Sequence, residues 1–580
     1  VARLSRHAPW AVVLVLLALL WRPLLALGQQ PDPCPGLPDP TVPSWNLDQH
    51  PELAAMAPTI QSILEQARVR YQSPRGVVDG YTAGITYRYP GGAVPFYIFA
   101  RDTATILPMA RYFAGDSVLR SAVEEFARLQ YTRSTVSVDG DLGLLVGPGA
   151  LSGTISPDFQ VDKATETSDE EASIILAAVL AYRLHADAAW LATPIAGQPL
   201  LDRLNLAMDW LLTHRLDPDA GLIKRGHTTD WGDVKMEPAP QPTDIGPDHV
   251  WTYSIYDQAI VFAALRGLAE LNVAAGRLDT ARRYLDQSRA LREAATERLW
   301  QPGRGYFRIH LHASYTPEPH PFDEDAIVAI GNAAALYYGL ATGDQAQPIV
   351  LSLEAARLRA GAPKAGLTLD PPYPDGTFLQ VQMAERNYQN GALWDWWAGR
   401  QISAEYRSGF SRYGDAHLLQ LAADWAQHPG SVYEWESPWT SRRSKDDRYT
   451  GAAAVVGEAI VSGLFGITLD RFALDLAPRL ATRGGAIGLT DVPSGTQVAY
   501  RYTFDPAASR AELCYRTSFR GPITLRPLLP PRMHLKRASL DGAPLPARQQ
   551  VVQEDRYALI DGAPGAHRLT LELEPSADAR

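Results

Sequence analysis

Cysteine is nearly absent: the 580 residues contain two, Cys34 and Cys514. Two thiols build neither a disulfide framework nor a thiolate zinc site, and the sequence leaves open whether they pair. A basic stripe is lacking too. The chain carries 54 Lys+Arg against 64 Asp+Glu, a net charge of −10. Without clustered Lys and Arg there is no footprint for a phosphate backbone, so nucleic acid is not an expected partner. Disorder is excluded by a hydrophobic content of 46% with 9% aromatics, ample for large buried cores. There is no Ser/His/Asp order, phosphate loop or Cys/His metal cluster, and neither metal nor organic cofactor is expected. His310, His312 and His320 share one loop, but their spacing matches no ligand motif and they read as surface residues.

Long hydrophobic runs are scarce as well. The one at the start, residues 11–21, follows Arg3, Arg6 and His7 and precedes the small residues Ala26 and Gly28. This pattern predicts a secretory signal peptide over residues 1–28. The run is short for a membrane span, so a membrane is a partner only if the segment stays uncleaved. The expected location is secreted or cell-envelope. Residues 29–50, rich in Pro and Asp, read as a linker.

Beyond residue 50 the apolar periodicity predicts twelve helices, near 52–72, 102–114, 116–132, 168–186, 199–215, 255–275, 277–300, 324–341, 343–360, 390–408, 411–427 and 448–465. The odd-numbered ones are amphipathic. The even-numbered ones are apolar nearly all round and must be covered on every side. Links from even to odd helices are short, and links from odd to even helices are long. The expectation is a mainly α chain: an (α/α)6 toroid, a double ring of twelve helices, over residues 51–467. Period-two runs after Gly466, such as Gln497 to Phe504, predict a small antiparallel, sandwich-like β domain over 468–580.

The long loops hold acids and aromatic rings. One contains Thr228-Thr229-Asp230-Trp231-Gly232-Asp233, and another contains Tyr433-Glu434-Trp435-Glu436-Ser437-Pro438-Trp439. The second helix opens on Arg101-Asp102, and Tyr388-Gln389-Asn390-Gly391-Ala392-Leu393-Trp394 opens the tenth. Glycoside hydrolysis needs such a set: one carboxylic acid protonates the leaving oxygen, and one carboxylate activates water or attacks directly. A neighbouring carboxylate or an apolar ring keeps the acid protonated. Trp231, Trp394 and Trp435 offer flat faces to sugar rings.

At these residues the chain resembles the six-hairpin glycosidases, particularly glycoside hydrolase family 63 and its bacterial relatives. The resemblance implies an inverting hydrolase of α-linked glycosides. It places Glu434 as general base and the acid in the Asp230–Asp233 loop, with Arg101, Asp102, Tyr388, Gln389 and Asn390 holding sugar. The family's Trp-Asp-x-Ser-Pro-Arg segment is absent, which leaves Asp230 and Asp233 both open as the acid, with Asp230 preferred. Glu436 stays open as a second base. Two competing readings are an inactive carbohydrate-binding or scaffold toroid and a polysaccharide lyase; a lyase cleft would be basic, and these loops are acidic. Oligomeric state is not legible.

Overall fold

The computed structural model describes residues 33–73, 76–85, 97–132, 135–136, 145–146, 148–156, 160–161, 167–234, 236, 250–316 and 320–576. The expected signal peptide lies outside them. Among the described residues no helix is long and apolar enough to cross a membrane.

Six helices touch in cyclic order. Ala100–Ala110 packs on Glu170–His185, which packs on Ile255–Ala274. Gly331–Tyr337, Asp395–Arg407 and Thr450–Glu458 follow, and the last returns to Ala100–Ala110. These helices are buried on nearly every side: in Asp395–Arg407 every residue but the last is buried, its Asp395, Arg400 and Glu405 included, and Thr450–Glu458 is buried throughout. Amphipathic helices cover them from outside. Leu278–Leu299, for example, turns Ala281, Tyr284, Leu291, Ala295 and Leu299 inward and packs on Ile255–Ala274.

The expectation of a mainly α double ring of twelve helices with a small antiparallel β domain does not hold. The described residues contain thirteen α-helices, and strands are interspersed from Ser44–Leu47 to Gly565–Pro575. A seven-stranded sheet stands beside a five-stranded one. The large sheet draws its edge from the other end of the chain, where Ser44–Leu47 pairs with Gly485–Asp491. The five-stranded sheet is mixed, since Leu474–Leu476 runs parallel to Ile523–Leu525. The physical reason for the miss is length. Most strands between the helices are two residues long, too short for a period-two signal. The apolar run around residues 327–330 reads as helix, but Val328–Ala329 pairs with Leu369–Asp370, and the helix starts only at Gly331.

Cys34 and Cys514 form a disulfide that ties the segment before Ser44 to the large sheet. That sheet is bonded to the helices as well: Arg111 pairs with Asp491 at 2.7 Å.

Candidate active site

Five of the six helices in the cyclic set direct their N-terminal ends or the loops before them to one small cavity of about 110 Å³; Gly331–Tyr337 does not reach it. Its wall contains eight of the residues singled out in the sequence: Arg101, Asp102, Trp231, Asp233, Tyr388, Gln389, Trp394 and Glu434. They are drawn from widely separated stretches of the chain. A larger cavity, about 660 Å³, opens near the C-terminal halves of the same helices. It is lined by Arg111, Arg400, Arg407, Tyr337 and Glu458 among apolar residues, and no two carboxyls free of arginine face each other there.

Arg101 is locked. Its Nε and Nη2 donate to Asp169 at 2.7 and 3.1 Å, and Tyr256 Oη donates to the same carboxylate at 2.7 Å. Burial works against the charge on Asp169, but the Arg101 guanidinium and these hydrogen bonds outweigh it and hold the carboxyl below its ordinary value. Asp102, one residue on, accepts from Tyr449 Oη at 3.4 Å.

Asp233 is held by a reciprocal amide clamp. Gln389 Nε2 donates to Asp233 Oδ1 at 2.7 Å, and the Asp233 N–H donates to Gln389 Oε1 at 3.2 Å. A Cβ on Gly232 would press on Thr229 Oγ1 and lie 2.7 Å from Gln389 Oε1, so a larger residue there would displace the clamp. Glu434 accepts from Ser444 Oγ at 3.1 Å. Burial, reinforced by the nearby carboxylates of Asp233, Asp446 and Asp102, pushes its carboxyl up to about 8. The site therefore crowds acids together until one of them keeps its proton near neutrality. Trp231 stands edge-on to Trp394, Trp397 and Trp396 at 4.7, 5.4 and 5.7 Å between ring centroids, a rigid aromatic wall.

Four of the expected residues lie elsewhere. Asp230, preferred over Asp233 in the sequence, is 1% exposed and faces away from the cavity. Its Oδ1 accepts from Ser254 Oγ at 3.0 Å and from the Tyr256 N–H at 3.3 Å, and its Oδ2 accepts from the Gly331 N–H at 2.6 Å. It thus fastens the starts of two helices, and a Cβ on Gly331 would collide with it. Burial pushes its carboxyl up to about 7. Asn390 is fully buried, with its amide spent on the backbone of Tyr373 and Met383. Glu436 pairs with buried Lys364, which also binds Asp395 and Asp424. Trp435 packs against Tyr388 at 6.0 Å and does not line the cavity.

Asp169, Glu170, Trp396 and Tyr449 also line the cavity, though the sequence does not single them out. The run Asp169-Glu170-Glu171 was a usable signal: three adjacent acids opening an otherwise apolar helix. The histidines need a correction too. His310 is buried, and it converges with His312, His320 and His227 on Glu324, so the surface reading fails. The ring nitrogens of His227, His310 and His312 and the Glu324 carboxylate are groups able to hold a metal ion.

No protein-family model and no curated protein matches the chain. Solved structures do. A family 78 rhamnosidase of a Bacillus species is 14% identical, with 85% of this chain and 43% of that one covered at a TM-score of 0.58. An α-L-rhamnosidase of Streptomyces avermitilis, complexed with L-rhamnose, is also 14% identical, with 92% and 42% covered at 0.55. The chain thus spans less than half the length of these two enzymes. A family 63 mannosylglycerate hydrolase of Thermus thermophilus, in complex with glucose, is 14% identical, with 69% and 99% covered at 0.47. That likeness is too loose to carry an argument for family 63. At these identities the rhamnosidases establish the fold alone, and the fold is one that glycoside hydrolases use.

Proposed function

We propose that the chain is an exported glycoside hydrolase that cleaves α-linked glycosides with inversion, using Asp233 and Glu434 as its acid/base pair. The observation that carries this reading is their joint placement in one cavity with Asp102, the Arg101–Asp169 pair and the tryptophan wall. Asp233 protonates the leaving oxygen. Glu434 takes a proton from a water that attacks the anomeric carbon on the opposite face. The roles follow the family resemblance, with Asp233 replacing Asp230 because Asp230 does not reach the cavity. Hydrolysis needs one proton on the pair, and the crowding that raises Glu434 keeps it there. The bond breaks from the form in which that proton has passed to Asp233 and Glu434 is ionised. Trp231, Trp394 and Tyr388 offer ring faces, and Asp102 accepts sugar hydroxyls. A lyase is disfavoured, because Arg101 is neutralised by Asp169 and the remaining charge of the wall is acidic. The disulfide supports export, since such bonds persist in oxidising compartments.

The test is a panel of aryl α-glycosides and oligosaccharides, α-L-rhamnosides and α-glucosides included, with NMR of the first product anomer. The expected result is hydrolysis that releases the anomer opposite to the substrate's. Sugar binding without hydrolysis would make the chain a binding protein. Release of the same anomer would make it a retaining enzyme.

A further inference from the structure

His310, His312, His320 and Glu324 come from one stretch of the chain, and His227, distant in sequence, meets them beside the catalytic loop. The three-stranded sheet explains how. His310 and His312 occupy alternate positions of strand His310–His312 and so share a face. That strand pairs with Trp251–Ser254, which pairs in turn with Arg225–Gly226, and His227 follows directly. Glu324 opens a short 3-10 turn facing them.

Hydrogen bonding accounts for His227, His312 and His320 but leaves His310 out. Every imidazole turns its Nε2 to the one carboxylate. His227 and His320 lie at 3.1 and 2.8 Å from Oε1, and His310 and His312 at 2.9 and 2.6 Å from Oε2. Tyr373 Oη donates to Oε1 as well, at 2.9 Å. Five groups crowd two oxygens. His310 Nε2 makes no hydrogen bond despite its distance, although the residue is only 3% exposed. An unpaired buried nitrogen facing a carboxylate is costly. A cation among the Nε2 atoms accounts for the convergence, because it takes their lone pairs directly. The candidate ligand atoms of His227, His310, His312 and Glu324 lie within 4.8 Å of one another. Bonds of about 2.0–2.1 Å need only small ring shifts from there.

We propose that His227, His310, His312 and Glu324 bind one divalent transition-metal ion, with His320 at the edge of the site. Imidazole nitrogens with a single carboxylate favour zinc and its neighbours over calcium or magnesium, which take oxygen ligands. The site is closed and buried, so its role is structural. It pins the start of the loop that runs from His227 through Thr228 to Asp233, and thereby fixes where Asp233 stands. This goes beyond the hydrolase reading, and metal content is measured whether or not the chain cleaves a glycoside.

The experiment uses the full chain purified without a polyhistidine tag. It is loaded with zinc or cobalt(II), dialysed, and analysed for metal, with X-ray absorption to count imidazole ligands. The expected result is one ion per chain in an imidazole-rich shell, lost in His310→Gln and in His312→Ala. His312 is the most exposed ligand, so His312→Ala decides the matter if His310→Gln fails to fold; circular dichroism checks the fold of each. A folded wild type that retains no stoichiometric metal overturns the proposal. So does His312→Ala binding metal as the wild type does, or a bound ion with no imidazole shell.

Discussion

Glu434 and Glu324 each sit on the segment leading into a helix of the cyclic set, and both are largely removed from water, yet their surroundings act in opposite directions. Around Glu434 stand Asp233, Asp446 and Asp102, which add to burial and push its carboxyl up to about 8. Around Glu324 stand four imidazoles and a tyrosine hydroxyl. Burial alone would raise it, but these groups prevail and hold it far below the usual carboxylate range. One glutamate can carry a proton near neutrality and the other cannot. The chemistry of each loop is set by what the fold brings to the carboxyl, since the side chain is the same.

Substitution should separate the two sharply. Glu434→Gln keeps size and shape but cannot take a proton, and turnover should fall by roughly 10²–10⁴-fold while sugar still binds. Steady-state kinetics with calorimetric binding checks this. Glu436→Gln, whose carboxyl serves Lys364, should leave turnover near normal. Glu324→Gln should act on stability instead. It removes the charged carboxylate on which four imidazoles and Tyr373 converge, and should cost roughly 1–3 kcal/mol in chemical denaturation. A catalytic collapse in Glu436→Gln, or an unaltered stability in Glu324→Gln, would break the contrast.

Two pH experiments sharpen it. Because the active pair needs one proton and Glu434 holds it up to about 8, kcat/KM should fall as pH rises through that value, about tenfold per unit beyond it. The second experiment concerns folding. The carboxyl is raised from 4.5 to about 8, so the folded state binds a proton that the unfolded chain has released, and stability declines as pH rises through that window. Glu434→Gln is free of this decline. Its Tm should exceed that of the wild type above pH 8 and match it near pH 5, by scanning calorimetry.

Much of this was legible residue by residue. Several buried helices announce themselves by lacking a polar face, and Arg101-Asp102 stands, as expected, at the start of a helix that reaches the cavity; the tenth helix, expected from 390, starts only at Asp395. The choice between Asp230 and Asp233 was not legible. Both lie in one tight turn, closed by the Gly232 N–H donating to Thr229 O at 2.8 Å, and sequence does not say which carboxyl such a turn sends inward. The histidine cluster was hidden for a different reason. His310, His312 and Glu324 are neighbours in sequence, but His227 reaches them only through a sheet of very short strands. The same short strands concealed how much of the molecule is β.

The central claim is that Asp233, and not its neighbour three residues earlier, belongs to the catalytic pair. The direct measurement is the turnover of Asp233→Asn beside Asp230→Asn on one α-glycoside and on the matching glycosyl fluoride, whose leaving group needs no proton. The account predicts a loss of roughly 10²–10⁴-fold on the glycoside for Asp233→Asn, largely restored on the fluoride. It predicts a lowered Tm but a much smaller loss of turnover for Asp230→Asn, with no fluoride rescue. The opposite order, with Asp230→Asn inactive and rescued while Asp233→Asn turns over normally, would contradict it.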